Sequence, residues 1–195
     1  MELIEQIKKD LKEILSERRY IHSLGVMEMA GKLAKIHNED IETAKIAGLL
    51  HDIAKEMPKE EMLKYVKENN IETNKIERIN TAILHGKIGA DIARKRYGVS
   101  KQIQDAIKYH TTTSPEMDTL AKIVYVADKT EMNRKSEDYD IEYERKLAKK
   151  DLDAVIIYII DANIKSLIDK NKLIEEESVK TRNSLMTLIN LKNMI

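Results

Sequence analysis

Cysteine is absent from this 195-residue chain, which excludes disulfides, thiolate nucleophiles and sulfur-ligated metals. Any metal it holds must be bound through nitrogen and oxygen. Glycine and proline are scarce, with six and two residues, and no glycine follows Gly98. The longest wholly apolar run, residues 154–160, falls far short of the ~20 residues of a membrane span. Neither charge predominates: 34 Lys+Arg balance 34 Asp+Glu, so no global basic field exists to hold nucleic acid or an anionic membrane. Glu2, Glu5, Lys8, Lys9 and Asp10 interrupt the first segment. No signal-peptide core is expected there, and the expected location is the cytoplasm.

What remains is a helical pattern in a chain suited to one domain. Leu3, Ile4, Ile7, Leu11, Ile14 and Leu15 recur at three- and four-residue steps, the stripe of an amphipathic helix. Ser16 is placed to cap a second helix reaching about residue 38, with Ile21, Leu24, Ala30, Leu33 and Ala34 inward. Further helices are expected over about 41–54, from Pro58 to about 69, and over 75–84, 87–97, 101–109, 117–130, 141–150, 151–170 and 178–193. Gly98 suits a helix C-cap and Ser100 the next N-cap. The polar stretch 133–140 is the expected loop. The fold class is all-α, with a core over about 17–134 followed by C-terminal helices over about 141–195.

Four of the five histidines carry the chemical signal: His22, His51, His85 and His110, joined by Asp52 and Asp128. Taken singly, each fits a hydrogen-bonded core or surface residue, and His37 keeps that reading. Together they are the parts of an inward-facing metal site. His51 and Asp52 are consecutive, hence ~100° apart on a helix, and can approach one ion together only near a helix end. Lys55 returns to their face and suits an incoming phosphate as a point charge. Gly25 and Gly48 each lie three residues from a histidine, and are expected to let two helices approach until His22 and His51 share one ion. Arg19 lies one turn before His22. Thr111 and Thr112 follow His110, and Arg134 follows Asp128, all candidates to hold phosphate. Asp128 ends an apolar run, where a carboxylate costs several kcal/mol to bury unless a cation or hydrogen bonds receive it.

In this order and spacing, the blocks containing Arg19 and His22, His51-Asp52 and Lys55, His85-Gly86-Lys87, Tyr109-His110-Thr111-Thr112, and Ala127-Asp128 with Glu131 and Arg134 resemble the HD-domain superfamily of metal-dependent phosphohydrolases. Within it the closer resemblance is to the YqeK family of symmetrical dinucleoside tetraphosphatases. The likeness continues to Thr181-Arg182-Asn183. It implies a single-domain helical fold with a buried two-metal site. By position, His22, His51, Asp52 and Asp128 bind a first ion, and His85 and His110 a second, with Asp52 shared. Members of this type are associated with iron, while the nitrogen and oxygen ligand set is also compatible with manganese, zinc or nickel. Two departures stand out: Thr113-Ser114 where the family usually has glycine followed by a basic or polar residue, and Met132 where proline is frequent.

The expected chemistry is attack on a polyphosphate by a hydroxide bridging two ions ~3.5–4 Å apart. Asp52 and Lys55 act at the reacting centre, and Arg19, Lys55, Thr111, Thr112 and Arg134 hold phosphates. For diadenosine tetraphosphate, central cleavage gives two ADP. Rival readings are another superfamily hydrolase acting on guanosine tetraphosphate or a cyclic dinucleotide, a non-catalytic nucleotide-binding regulator, and a helical interaction module. Lys55-Glu56 stands where guanosine tetraphosphate enzymes have Glu-Asp, and Tyr109-His110-Thr111 where cyclic-di-GMP enzymes have paired histidines. The expected partner is a small nucleotide. The stripe Leu185, Leu188, Ile189 and Leu191 suits core or a homodimer contact.

Overall fold

The computed structural model describes residues 2–135 and 140–193, and their regular structure is helical throughout. The chain runs through α1 (Glu2–Ile14), α2 (Glu17–Ile36), α3 (Ile41–Leu50), α4 (Lys59–Glu68) and α5 (Lys75–Ile79). A 3-10 turn (Thr81–Leu84) leads into α6 (His85–Tyr97), α7 (Lys101–Tyr109) and α8 (Thr119–Thr130). After the 136–139 segment come α9 (Ile141–Ala148), α10 (Leu152–Asp169) and α11 (Glu176–Asn193). Of the expected 133–140 loop, residues 133–135 and 140 are non-helical, and 136–139 lie outside the described residues. No helix is long and apolar enough to cross a membrane among the described residues.

Local chemistry sets most boundaries. Ser16, Asp40, Ser100, Asp118, Asp140 and Asp151 each accept a hydrogen bond from the backbone N–H three residues on, satisfying a donor that the first helical turn leaves without a partner. Asn74 and Glu77 form a reciprocal capping box. Gly98 ends α6 with a φ of 63°, the left-handed conformation a C-cap needs. Pro58 precedes α4 as its N-cap rather than opening it.

Three expectations shift. The helix expected over 41–54 stops at Leu50, and residues 51–57 continue in tighter turns closed by Ile53 N–H to Leu50 O and Lys55 N–H to Asp52 O. The helix expected over 75–84 is broken at Asn80, between α5 and the 3-10 turn. Ile21 is exposed rather than inward, because that side of α2 borders an open cleft shared with Arg18, Arg19 and Glu131.

Helices α2, α3, α7 and α8 pack together as the centre of the molecule, with α1 against α3, α6 against α7, and α10 against α8. Val26, Ala30, Ala47, Leu50, Ile107, Leu120, Val124 and Ile156 are fully buried in that core. A smaller apolar cluster of Ala54, Met62, Leu84 and Ile88 anchors α4 beside α6. Gly48 is required where α3 crosses α2: a Cβ there would stand 3.1 Å from the Val26 carbonyl oxygen and 3.2 Å from Met27 Cα. On α11 the apolar stripe divides, with Leu185 buried, Ile189 against the core, and Leu188 and Leu191 exposed.

Candidate metal centre

Four imidazoles meet where α2, α3, α6 and α7 converge. His22 comes from the second turn of α2, His51 caps the C-terminus of α3, His85 opens α6 and His110 caps α7. Their rings form a row: His22 and His51 have centroids 5.2 Å apart, His51 and His110 4.9 Å, and His110 and His85 4.9 Å. All four are buried.

Asp52 and Asp128 complete the cluster. Asp52 Oδ2 lies 3.4 Å from His51 Nε2 and 3.9 Å from His22 Nε2, while its Oδ1 lies 3.2 Å from His85 Nε2 and 3.5 Å from His110 Nε2. One carboxylate therefore presents a different oxygen to each half of the row. Asp128, near the end of α8, places Oδ1 3.0 Å from His22 Nε2 and 3.8 Å from His51 Nε2. Donor atoms of His22, His51 and Asp128 all lie within 4.8 Å of one another, as do those of His51, Asp52 and His110. The tight turn after α3 brings the adjacent His51 and Asp52 onto one centre.

The imidazole tautomers follow from the backbone. His51, His85 and His110 each donate Nδ1–H to the carbonyl three residues earlier, at Gly48, Ala82 and Ile107, over 2.6–2.7 Å. Each sits at a helix end, where carbonyls lack an intrahelical partner. With Nδ1 committed as donor, the Nε2 lone pair points inward, the disposition of a metal-ligating histidine. His51 Nε2 is buried without a hydrogen-bond partner among the described residues, and His85 Nε2 faces His110 Nε2 at 3.0 Å. Lone pairs held this way are satisfied by cations, so the donor set fits divalent metal.

Electrostatics agree with that fit. Burial holds His85 below its ordinary pKa and takes His110 down to about 4, keeping both imidazoles neutral. Burial alone would raise Asp52, but His51, His110 and His85 outweigh it and hold the carboxyl well below the usual range. Asp128 is likewise held well below that range, its burial outweighed by Lys129 and His22.

Cationic and hydroxyl groups ring the centre. Lys55 Nζ lies 3.3 Å from His85 Nε2; burial lowers its pKa, with Asp52 and Asp128 opposing. Arg19 pairs with Asp52 Oδ2 at 2.7 Å, so this residue, expected on a phosphate, is engaged by a carboxylate. Thr111 Oγ1 lies 3.0 Å from both His85 Nε2 and His110 Nε2. Thr112 stands further out: its carbonyl accepts the Ser178 hydroxyl and it borders two cavities. Arg134 borders the cleft beside His22, together with Arg18, Arg19 and Lys135.

Two neighbours of the centre had no role assigned from the sequence. Glu131 is buried and accepts from His22 Nδ1 at 3.2 Å and from the Asn133 backbone N–H at 2.7 Å. It orients His22 as the carbonyls orient the other three. Gly25 makes its room, since a Cβ there would overlap Glu131 Oε2; this glycine accommodates a carboxylate rather than α3. Lys129 Nζ bonds Asp128 Oδ2 at 2.7 Å. The signals for Glu131 were its place in the block with Asp128 and Arg134 and its spacing of three residues, one helical turn, from Asp128.

A model of the HD domain matches residues 19–133, the stretch that supplies every member of this cluster. The symmetrical bis(5'-nucleosyl)-tetraphosphatase of Bacillus subtilis is 36% identical over 91% of this chain and 94% of its own length. That of Halalkalibacterium halodurans is 36% identical over 90% and 93%. A crystal structure from Clostridium acetobutylicum, described as a "predicted HD superfamily hydrolase involved in NAD metabolism", superimposes with a TM-score of 0.90 at 38% identity, covering 94% of this chain and 96% of that one.

Proposed function

The chain belongs to the HD-domain family, and on that premise we propose that it is a metal-dependent phosphohydrolase cleaving diadenosine tetraphosphate symmetrically into two ADP. The observation that carries the proposal is the split carboxylate of Asp52, with Oδ2 toward His22 and His51 and Oδ1 toward His85 and His110. His22, His51, Asp128 and Asp52 would hold one divalent cation, and His85, His110 and Asp52 would hold a second. Iron is our reading for both positions, on an all-nitrogen-and-oxygen ligand set that also accepts manganese, nickel or zinc. When bound, such ions supply Lewis acidity to phosphoryl oxygens and bring the deprotonation of water within reach of neutral pH.

The residues do the rest. Lys55, poised beside His85, offsets charge developing on the phosphoanhydride. Arg19, on Asp52 Oδ2 at 2.7 Å and on the lining of the basic cleft, would reach a phosphate oxygen from that place, and Arg134 would hold the chain further out. Thr111 offers its hydroxyl to a phosphoryl oxygen at the His85–His110 end. Positioning of this kind lowers the barrier by placing water and phosphorus in line.

The test is product analysis. Purified protein loaded with Fe(II) or Mn(II) is expected to convert diadenosine tetraphosphate to ADP alone. AMP together with ATP overturns symmetrical cleavage, and no turnover overturns the assignment.

A further inference from the structure

The two ends of the histidine row open onto different surroundings. At the His22 end lies a cleft of about 280 Å³ with Arg18, Arg19, Arg134 and Lys135 around it. At the other end, past the Thr111 hydroxyl, a cavity of about 220 Å³ opens between the 3-10 turn, α8 and α10. Ile83, Ile160, Ile164 and Tyr125 line it, and Asn80 and Asn163 add carboxamides to the same lining. Among the described residues its lining contains no lysine or arginine and one carboxylate, Glu175, which burial pushes toward the neutral form.

A phosphate would lose its hydration in this cavity with no cation to replace it. A flat heteroaromatic ring has the opposite balance. Its faces gain from apolar walls, and its polar edge meets carboxamides that both donate and accept. Because Thr111 touches His85 and His110 as well as the cavity, whatever fills the cavity is continuous with a ligand on the metal centre.

We propose that this cavity seats one nucleobase of the substrate, with Asn163 and Asn80 reading its edge, while the phosphates run along the histidine row into the basic cleft. The proposal rests on the phosphohydrolase reading above and adds an asymmetry to it: one nucleoside is gripped, and the other half of the molecule is held through its phosphates.

Calorimetric titration of the Mn(II)-loaded protein with ADP and with inorganic pyrophosphate tests this. The wild type is expected to bind ADP about tenfold tighter than pyrophosphate, as a buried ring warrants. Ile164→Trp, which fills the cavity, is expected to bind the two alike. Asn163→Ala leaves the walls in place and is expected to weaken ADP severalfold without altering pyrophosphate. Absence of an ADP preference in the wild type, or its persistence at full size in both variants, overturns the proposal. These titrations read product binding rather than turnover, so their failure is distinct from failure to cleave diadenosine tetraphosphate.

Discussion

Replacing Gly25 by alanine sets two effects of known sign against each other. Gly25 lies within α2, where Gly→Ala ordinarily stabilises by about 1 kcal/mol. The added Cβ, however, would overlap Glu131 Oε2 and stand 3.0 Å from its Cδ, where ordinary contact begins at 3.4 Å. Cδ alone must retreat by 3.4 − 3.0 = 0.4 Å, and Oε2, which would stand at 2.4 Å, by more. The carboxylate's bond to His22 Nδ1 is already 3.2 Å long, so a retreat along that line takes it to about 3.6 Å, beyond a hydrogen bond. Glu131 is buried and tied to Asn133 N–H as well, which leaves it little freedom to rotate aside. Losing the group that orients a ligating histidine costs about 10–100-fold in metal affinity, or roughly 1.4–2.8 kcal/mol. Competition titration of Mn(II) against a chelating dye, on wild type and Gly25→Ala, measures this directly. Glu131→Gln, which keeps the shape but not the charge, should fall between the two. A Gly25→Ala protein with raised Tm and wild-type metal affinity would refute the account of why this glycine is present.

His51→Ala and Asp52→Ala are each expected to lose bound metal and hydrolysis together, read by elemental analysis beside the product assay; full metal content in either contradicts the ligand assignment. Lys55→Ala should keep its metal and lose kcat by at least about tenfold, and a wild-type rate would remove Lys55 from the chemistry. Thr113 holds a φ of 59°, a left-handed conformation that costs a β-branched residue about 1 kcal/mol or more. Thr113→Gly should therefore raise Tm by about 2–4 °C, and a lower Tm counts against that strain. Glu144 is fully buried, neither of its carboxylate oxygens has a hydrogen-bond partner among the described residues, and burial raises its pKa from 4.5 to about 8. Between those values the native state holds a proton that the unfolded state has released, so stability falls as pH rises from 4.5 toward 8 and levels off above. Glu144→Gln should flatten Tm across that window and raise it near pH 8.5; an unchanged slope assigns the pH dependence elsewhere.

Helix boundaries were legible where a single residue dictates them. Ser16, Gly98 and Ser100 act within one turn of their own position, so spacing alone revealed them. The six side chains that converge on the candidate centre were legible because imidazoles and carboxylates seldom gather on inward helical faces without a reason. Glu131 was not, since its role depends on His22, 109 positions away, and on the space left by Gly25. Ile21 was misplaced because apolar periodicity reports a helix face without reporting whether a neighbour covers it. The break at Asn80 and the tightening after Leu50 depend on tertiary packing, which no short window of sequence contains. Thr113 is the reverse case: a departure from the family's usual glycine coincides with a backbone conformation that glycine adopts freely.

Three of the imidazoles are steered by main-chain carbonyls at Gly48, Ala82 and Ile107, and a carbonyl is supplied by every amino acid alike. Side-chain replacement at Ala82 or Ile107 therefore leaves the steering oxygen in place, whereas at Gly48 any Cβ presses on the α2 backbone and can shift the chain that carries it. His22 alone depends on a neighbour that a single codon change could delete. Over evolutionary drift this end of the row is the vulnerable one, and lineages that retire the catalyst while keeping the scaffold should show their earliest damage at Glu131 or Gly25.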